Sequence, residues 1–261
     1  MTHILSSPPP ENPQVIPAAT VVIFRACQQG GPPELLIVQR AKEMRFAGGA
    51  AVFPGGRVDA EDRQLAQALE IPGDLAEAAA RIAGIRETLE ETGLAIATRK
   101  RVSGTEAAEA RAMLIDRGAL APVLEHFGWT LDTSGLVPFA RWCPMRDNTF
   151  DTRFFLYDLG TGAVDVAVDA TENTRLFWTS ATGALERADA GDFHVIFPTR
   201  RNLERLAQFN SFPEARAHAE AIPPRIITPS RAERDGEDWL VIPEGCGYPV
   251  TGQLLATAQR G

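Results

Sequence analysis

The sequence predicts a mixed α/β fold, on three observations. A β-branched and aromatic run over 18–27 passes through Gly30-Gly31-Pro32-Pro33 into a second run at 34–40, which reads as a hairpin. From about 75 to 92 the apolar residues change to a helical period, and two more strand-like runs fall between 136 and 159. No internal repeat or linker divides the chain, so 17–261 is read as a single domain behind a proline-rich, mobile tail at 1–16.

Each element has a local reason. The stretch 47–56 (AGGAAVFPGG) supplies a third short extended piece, closed by the turn signal Pro54-Gly55-Gly56. In the helix at 75–92, Asp74 and Glu77 resemble a capping box, Leu75, Ala79, Ile82, Ile85 and Leu89 recur at helical spacing, and Gly93 takes the place of a terminating glycine. Alanine-rich sequence predicts a second helix at about 105–117 and a short one near 119–127. LVPFARWCP and TFDTRFFLYDL read as two strands, RLFWTS as another, ATGALERAD as a short helix, and 199–222 as one or two helices. Beyond them lie strand-like pieces broken by prolines.

Composition narrows the function. A net charge of -8 argues against a general nucleic-acid binder, because affinity for phosphate backbones rests on clustered Lys and Arg. No apolar run approaches the roughly 20 residues that cross a bilayer, so a membrane partner is not expected. The three cysteines, Cys27, Cys143 and Cys246, have no metal-ligand spacing, and Cys27, closing an apolar run, is expected to be a buried thiol. The N-terminus lacks the pattern of a secretory signal, and a reducing, cytoplasmic setting is the expectation.

The stretch 85–94, IRETLEETGL, poses an electrostatic question. Glu87, Glu90 and Glu91 share one helix face within a single turn. The like-charged Glu87 and Glu91 cost an isolated helix about 0.2–0.5 kcal/mol, and each carboxylate sits at the negative end of a macrodipole worth about 0.3–1 kcal/mol per group. Arg86 offsets only part of this. A solvated charged face is one reading; the other is a site for Mg²⁺ or Mn²⁺, hard cations that take carboxylate oxygens and keep waters for a phosphate-bearing substrate.

Context favours the second reading. Arg86, Glu87, Glu90, Glu91, Gly93 and Leu94 match the second half of the Nudix box, Arg-Glu-U-x-Glu-Glu-x-Gly-U with U aliphatic, and Phe53-Pro54-Gly55-Gly56 resembles the loop that opens it. The sequence thus resembles the Nudix hydrolases, over about 18–200 in layout and between Arg40 and Leu94 in specific motifs. Two departures stand out. The family places its arginine 14 residues after the second glycine, whereas Gly56 and Arg86 are 30 apart, an insertion of about 16 residues. The family's first glutamate therefore falls on Asp62 or is lost in the insert, here 57–74, and Thr88 replaces an aliphatic residue.

The resemblance implies an α/β/α sandwich with a mixed sheet between helices, extended at its C-terminus over about 200–261. It also implies hydrolysis of a nucleoside diphosphate linked to another group, with Mg²⁺ or Mn²⁺. Glu87 and Glu91 would be principal metal ligands, Glu90 a third or outer group, the Gly55 carbonyl a further ligand, and Arg86 an orienting partner. Glu87 or Glu172 would be the general base, Glu172 having an ordinary surface glutamate as its alternative.

The stretch from Arg40 to Gly56 resembles the motif of coenzyme A-cleaving members: Arg40, Ala41, Arg45, Gly49 and the final Phe-Pro-Gly-Gly match, while Val38 stands where a threonine is usual. Arg40 and Arg45 offer fork-shaped donors to phosphate oxygens, beside Gly56 of the loop; salt bridges at the sheet edge are their alternative use. Arg153 is a further substrate-binding candidate, or an ion-pair partner of Asp151. The expected partner is a small nucleotide, coenzyme A or acyl-coenzyme A first, with ADP-ribose or an NADH-type dinucleotide, or a non-catalytic nucleotide sensor, as alternatives. Many members dimerise, so a homodimer is an expectation of the resemblance only.

Overall fold

A computed structural model describes residues 3–4, 13–27, 29–41, 48–160 and 173–258. In chain order the strands and helices are β1 (His3–Ile4), β2 (Ile16–Arg25), β3 (Glu34–Arg40), β4 (Ala51–Val52), β5 (Gly55–Arg57), α1 (Ala60–Ala68), α2 (Leu75–Thr92), α3 (Gly104–Arg117) and α4 (Leu120–Phe127). There follow β6 (Val137–Trp142), β7 (Phe150–Asp158), β8 (Asn173–Thr179), α5 (Ala181–Asp189), α6 (Phe197–Leu206), α7 (Phe212–Ala221), β9 (Ile226–Ile227), β10 (Ser230–Arg234), β11 (Glu237–Val241) and β12 (Gly252–Leu254).

Strand β2 is the hub of a mixed sheet ordered β4-β3-β2-β7-β6-β9, with β5 also on β2 and β8 also on β3. It runs parallel to β7 from Ile16↔Phe150 to Phe24↔Asp158, and antiparallel to β3 at Phe24↔Leu35 and to β5 from Ala18↔Arg57 to Thr20↔Gly55. Successive β2 residues point to opposite faces. Ala19, Val21 and Ile23 pack with α1–α4, while Val22 and Phe24 pack with α5–α7 and the C-terminal residues. The result is the expected α/β/α sandwich. Among the described residues no helix is long and apolar enough to cross a membrane.

Helix α2 lies close on the sheet because Gly84 offers no side chain; a β-carbon there would press on Val21. Its ends obey local rules. The Asp74 carboxylate accepts from the Glu77 N–H at 2.8 Å, and Gly93 closes the helix at φ 74°. The expected reciprocal half of the box does not form, since Glu77 pairs with Arg81 at 2.7 Å. Thr88 is buried without penalty, its hydroxyl donating to the Gly84 carbonyl at 2.7 Å.

The insert carries α1, whose own capping box joins Asp59 and Asp62. Two expectations change. At the N-terminus, 3–4 pair with β10 and Gln14 donates to Asp147, so this part of the expected tail is fastened. Cys27 is only half-buried, because β2 ends at Arg25; Cys143 and Cys246 are the buried thiols. The C-terminal segment builds a second sheet, β1-β10-β11-β12, with Leu240 and Ile242 in the core below.

Candidate active site

A cleft of about 850 Å³ opens where β5, the C-terminal half of α2, the end of β6, the start of β7, the start of α6 and the C-terminal sheet converge. Glu87, Glu90 and Glu91 line it, as do Arg86, Gly55, Gly56 and Arg40. Two elements set this arrangement. The β5 strand is pinned under α2 because the Val21 N–H donates to the Pro54 carbonyl at 2.9 Å and the Gly55 N–H donates to Glu91 Oε2 at 3.0 Å. Gly56 then lies against the Glu87 carboxylate so closely that a β-carbon would collide with it.

The charge deficit of α2 is met chiefly by Arg86. Its buried guanidinium reaches Asp62 at 2.9 Å, Glu87 at 2.9 Å, Asp59 at 3.2 Å and Glu90 at 3.5 Å, and donates to the Arg57 carbonyl at 2.9 Å. Burial works to lower its pKa, but the Asp62 hydrogen bonds and the surrounding carboxylates more than reverse this, so the cation is held firmly charged. Arg111 of α3 adds a second correction, donating to the Glu90 carbonyl at 2.7 Å at the negative end of the helix.

Asp62 is the residue that sequence reasoning left unassigned. It is 1% exposed and grips Arg86 through two hydrogen bonds, Nε to Oδ1 at 3.0 Å and Nη2 to Oδ2 at 2.9 Å. Its other contact is the Asp59 N–H at 2.9 Å, which starts α1. Asp62 therefore both starts α1 and ties the insert to Arg86. The six-residue step from Gly56 to Asp62 was the signal that could have found this pairing.

Burial, with help from Glu90, pushes the Glu87 carboxyl up to about 7 against the pull of Arg86. A half-buried carboxylate whose pKa is raised, with two more carboxylates on the same helix face, is a donor set whose chemistry fits Mg²⁺ or Mn²⁺. Among the described residues no three His, Cys, Asp or Glu side chains are gathered ready to grip an ion. Glu87 turns to Arg86 and Glu91 to the Gly55 N–H instead.

Other predicted residues fare differently. Arg45 and Glu172 lie outside the described residues. Arg153 does not line the cleft: strand alternation turns Phe150, Thr152 and Phe154 toward it and places Arg153 near Asp151, at 3.9 Å. Asp151 is bound mainly by Arg141, at 2.6 Å. The ion-pair alternative thus describes Arg153. The cleft gains three arginines not singled out from sequence, Arg57, Arg146 and Arg231, and an apolar wall that includes Trp142, Phe197 and Leu240. Arg40, Arg57, Arg146 and Arg231 make no ion pair among the described residues, and Arg40 Nε is buried without a hydrogen-bond partner.

No protein-family model and no curated protein matches the chain. Solved structures do. A Nudix hydrolase from Alicyclobacillus acidocaldarius is 28% identical, superposes with a TM-score of 0.66, and is matched over 78% of this chain and 96% of its own. DR0079 from Deinococcus radiodurans (18% identity, TM-score 0.41, 78% and 90% covered) and the MutT protein of Methanosarcina mazei (18%, 0.40, 75% and 95%) align more loosely. The architecture is the Nudix hydrolase fold, extended by a small C-terminal sheet.

Proposed function

We propose that this chain is a Nudix hydrolase that cleaves a nucleoside diphosphate derivative with Mg²⁺ or Mn²⁺, coenzyme A or an acyl-coenzyme A being the first substrate to test. The observation that carries this reading is the meeting, in one cleft, of Glu87, Glu90 and Glu91 with Arg40 and Arg57, which make no ion pair among the described residues. A diphosphate and its cations supply the complementary charges to both groups.

In this reading Glu87 and Glu91 hold the cation, with Glu90 and the Gly55 carbonyl beside them. When bound, the cation neutralises charge developing on the phosphate and acidifies an attacking water. The protein does the rest. Arg86, gripped by Asp62, orients Glu87 and Glu90, and the missing β-carbon of Gly56 lets the Glu87 carboxylate lie flat against β5. Arg40 and Arg57 bind phosphate oxygens, and Glu87 is the first candidate to accept the proton from water. Glu172 is the other base to test, by Glu172→Gln.

The experiment is incubation with Mg²⁺ or Mn²⁺ and a panel of coenzyme A, acyl-coenzyme A, NADH and ADP-ribose, with products identified by mass. Cleavage of coenzyme A to adenosine 3′,5′-bisphosphate and a phosphopantetheine is expected. ADP-ribose cleavage alone would overturn the substrate, and no cleavage with either metal would overturn the enzyme.

A further inference from the structure

The C-terminal sheet is no part of the box motifs, yet it forms one wall of the cleft. Arg231 on β10 and Leu240 on β11 are cross-strand partners and so stand on the same face of that sheet, and both line the cleft. The turn between these strands, Asp235-Gly236, has φ of 53° and 81°, the left-handed pair that a tight hairpin needs, and this holds the register that sets Arg231 opposite Leu240. Around them the lining is apolar: Pro229, Trp142 and Phe197. Trp142 is locked edge-on to both Phe197 and Tyr248, and its indole N–H donates to the Tyr248 hydroxyl at 3.0 Å, so the floor is rigid.

Arg231 is exposed and has no ion pair among the described residues. A cation beside apolar side chains attracts an anion attached to an apolar body. It is not needed for the diphosphate, whose two negative charges already have Arg40, Arg57 and the cations at α2. We propose that Arg231 is a specificity residue: it binds a second anionic group of the substrate, a phosphate or carboxylate outside the scissile diphosphate, while Leu240 and Trp142 bed the apolar part next to it. This rests on the reading of the cleft as a diphosphate site. It narrows the substrates to nucleoside diphosphate derivatives that carry an additional oxyanion.

The test compares wild type with Arg231→Gln on two matched pairs, coenzyme A against 3′-dephospho-coenzyme A and succinyl- against butyryl-coenzyme A. In one pair the variant should raise KM about 10-fold for the member with the extra anion, as loss of a charge-assisted contact implies, with kcat unchanged and the partner compound unaffected. The pair that responds tells phosphate from carboxylate. Arg231→Lys should restore part of the discrimination. Equal losses across both members of both pairs would assign Arg231 to the diphosphate and overturn the proposal, as would no change at all.

Calorimetric Kd values for the same four compounds separate the two claims. Discrimination in Kd without cleavage would remove the hydrolase and leave the specificity site standing. Cleavage with no effect of Arg231→Gln would do the reverse, and absence of both binding and cleavage would remove both.

Discussion

Two arginines are buried to nearly the same degree and are treated in opposite ways. Arg86 is 4% exposed and stands among four carboxylates; Arg205, on α6, is 1% exposed and has no carboxylate within ion-pair reach among the described residues. Arg205 instead stacks 4.0 Å from the Phe139 ring centre, faces the Tyr248 ring at 5.2 Å, and donates to the Phe139 carbonyl at 2.9 Å. Burial lowers its pKa, whereas carboxylates raise that of Arg86 despite burial. The Tyr248 hydroxyl, pushed up to about 12 by burial, is neutral and gives no counter-charge. One arginine organises a charged site. The other joins the helical layer to the β6 backbone and Tyr248 of the extension, using its flat cation as a stacking surface.

The same substitution at both positions should separate these roles. Arg86→Met leaves the buried Asp62 and the half-buried Glu87 without their cation, and the loss of stability by urea unfolding should reach about 3–5 kcal/mol. Next comes Glu87→Gln, which should lower kcat at least about 100-fold, since a ligand and base are lost together.

Glu87→Gln has a second consequence. The folded-state pKa of Glu87, about 7, lies above the ordinary glutamate value of 4.5, so between these pH values the native protein holds more protons than the unfolded chain. Stability in the absence of metal is therefore fully present below about 4.5 and is lost as pH rises through 7, by about 3.5 kcal/mol at about 1.4 kcal/mol per pH unit. The glutamine variant should be more stable than wild type at pH 8 and lose that advantage by pH 5. Equal pH dependence of the two proteins would contradict the burial argument.

Asp62→Asn should have a smaller effect, about 1–3 kcal/mol in stability with a partial loss of activity, because it weakens the grip on Arg86 without emptying the site. Arg205→Met should be the mildest, within about 1.5 kcal/mol of wild type in either direction, since an unpaired buried charge leaves and an apolar chain of similar length fills its place. A loss at Arg205 as large as that at Arg86 would erase the contrast.

The same division decides what was legible in the sequence. Helix α2 was readable to its ends, because its cap, its period and its closing glycine are all local. So was the carboxylate face, and the two halves of the box supplied its partner loop. Asp62 was not, because its meaning is a contact with Arg86, 24 residues away across an insert. Arg153 misled because Phe154 and Phe155 are both buried, on opposite faces, so alternation could not say which face carried the cleft. Arg231 sat in a polar stretch whose one signal, Asp235-Gly236 between two extended runs, marks a hairpin but not what the hairpin covers.

The central claim is that the carboxylates of α2 hold a divalent cation. Calorimetric titration of Mn²⁺ into the wild type, Glu87→Gln and Glu91→Gln at pH 8, repeated at pH 6, tests this without substrate. Wild type should bind Mn²⁺, more tightly at pH 8 than at pH 6, and each variant should bind at least about 10-fold more weakly. Binding that is absent in wild type, or equal in all three proteins, would contradict the account.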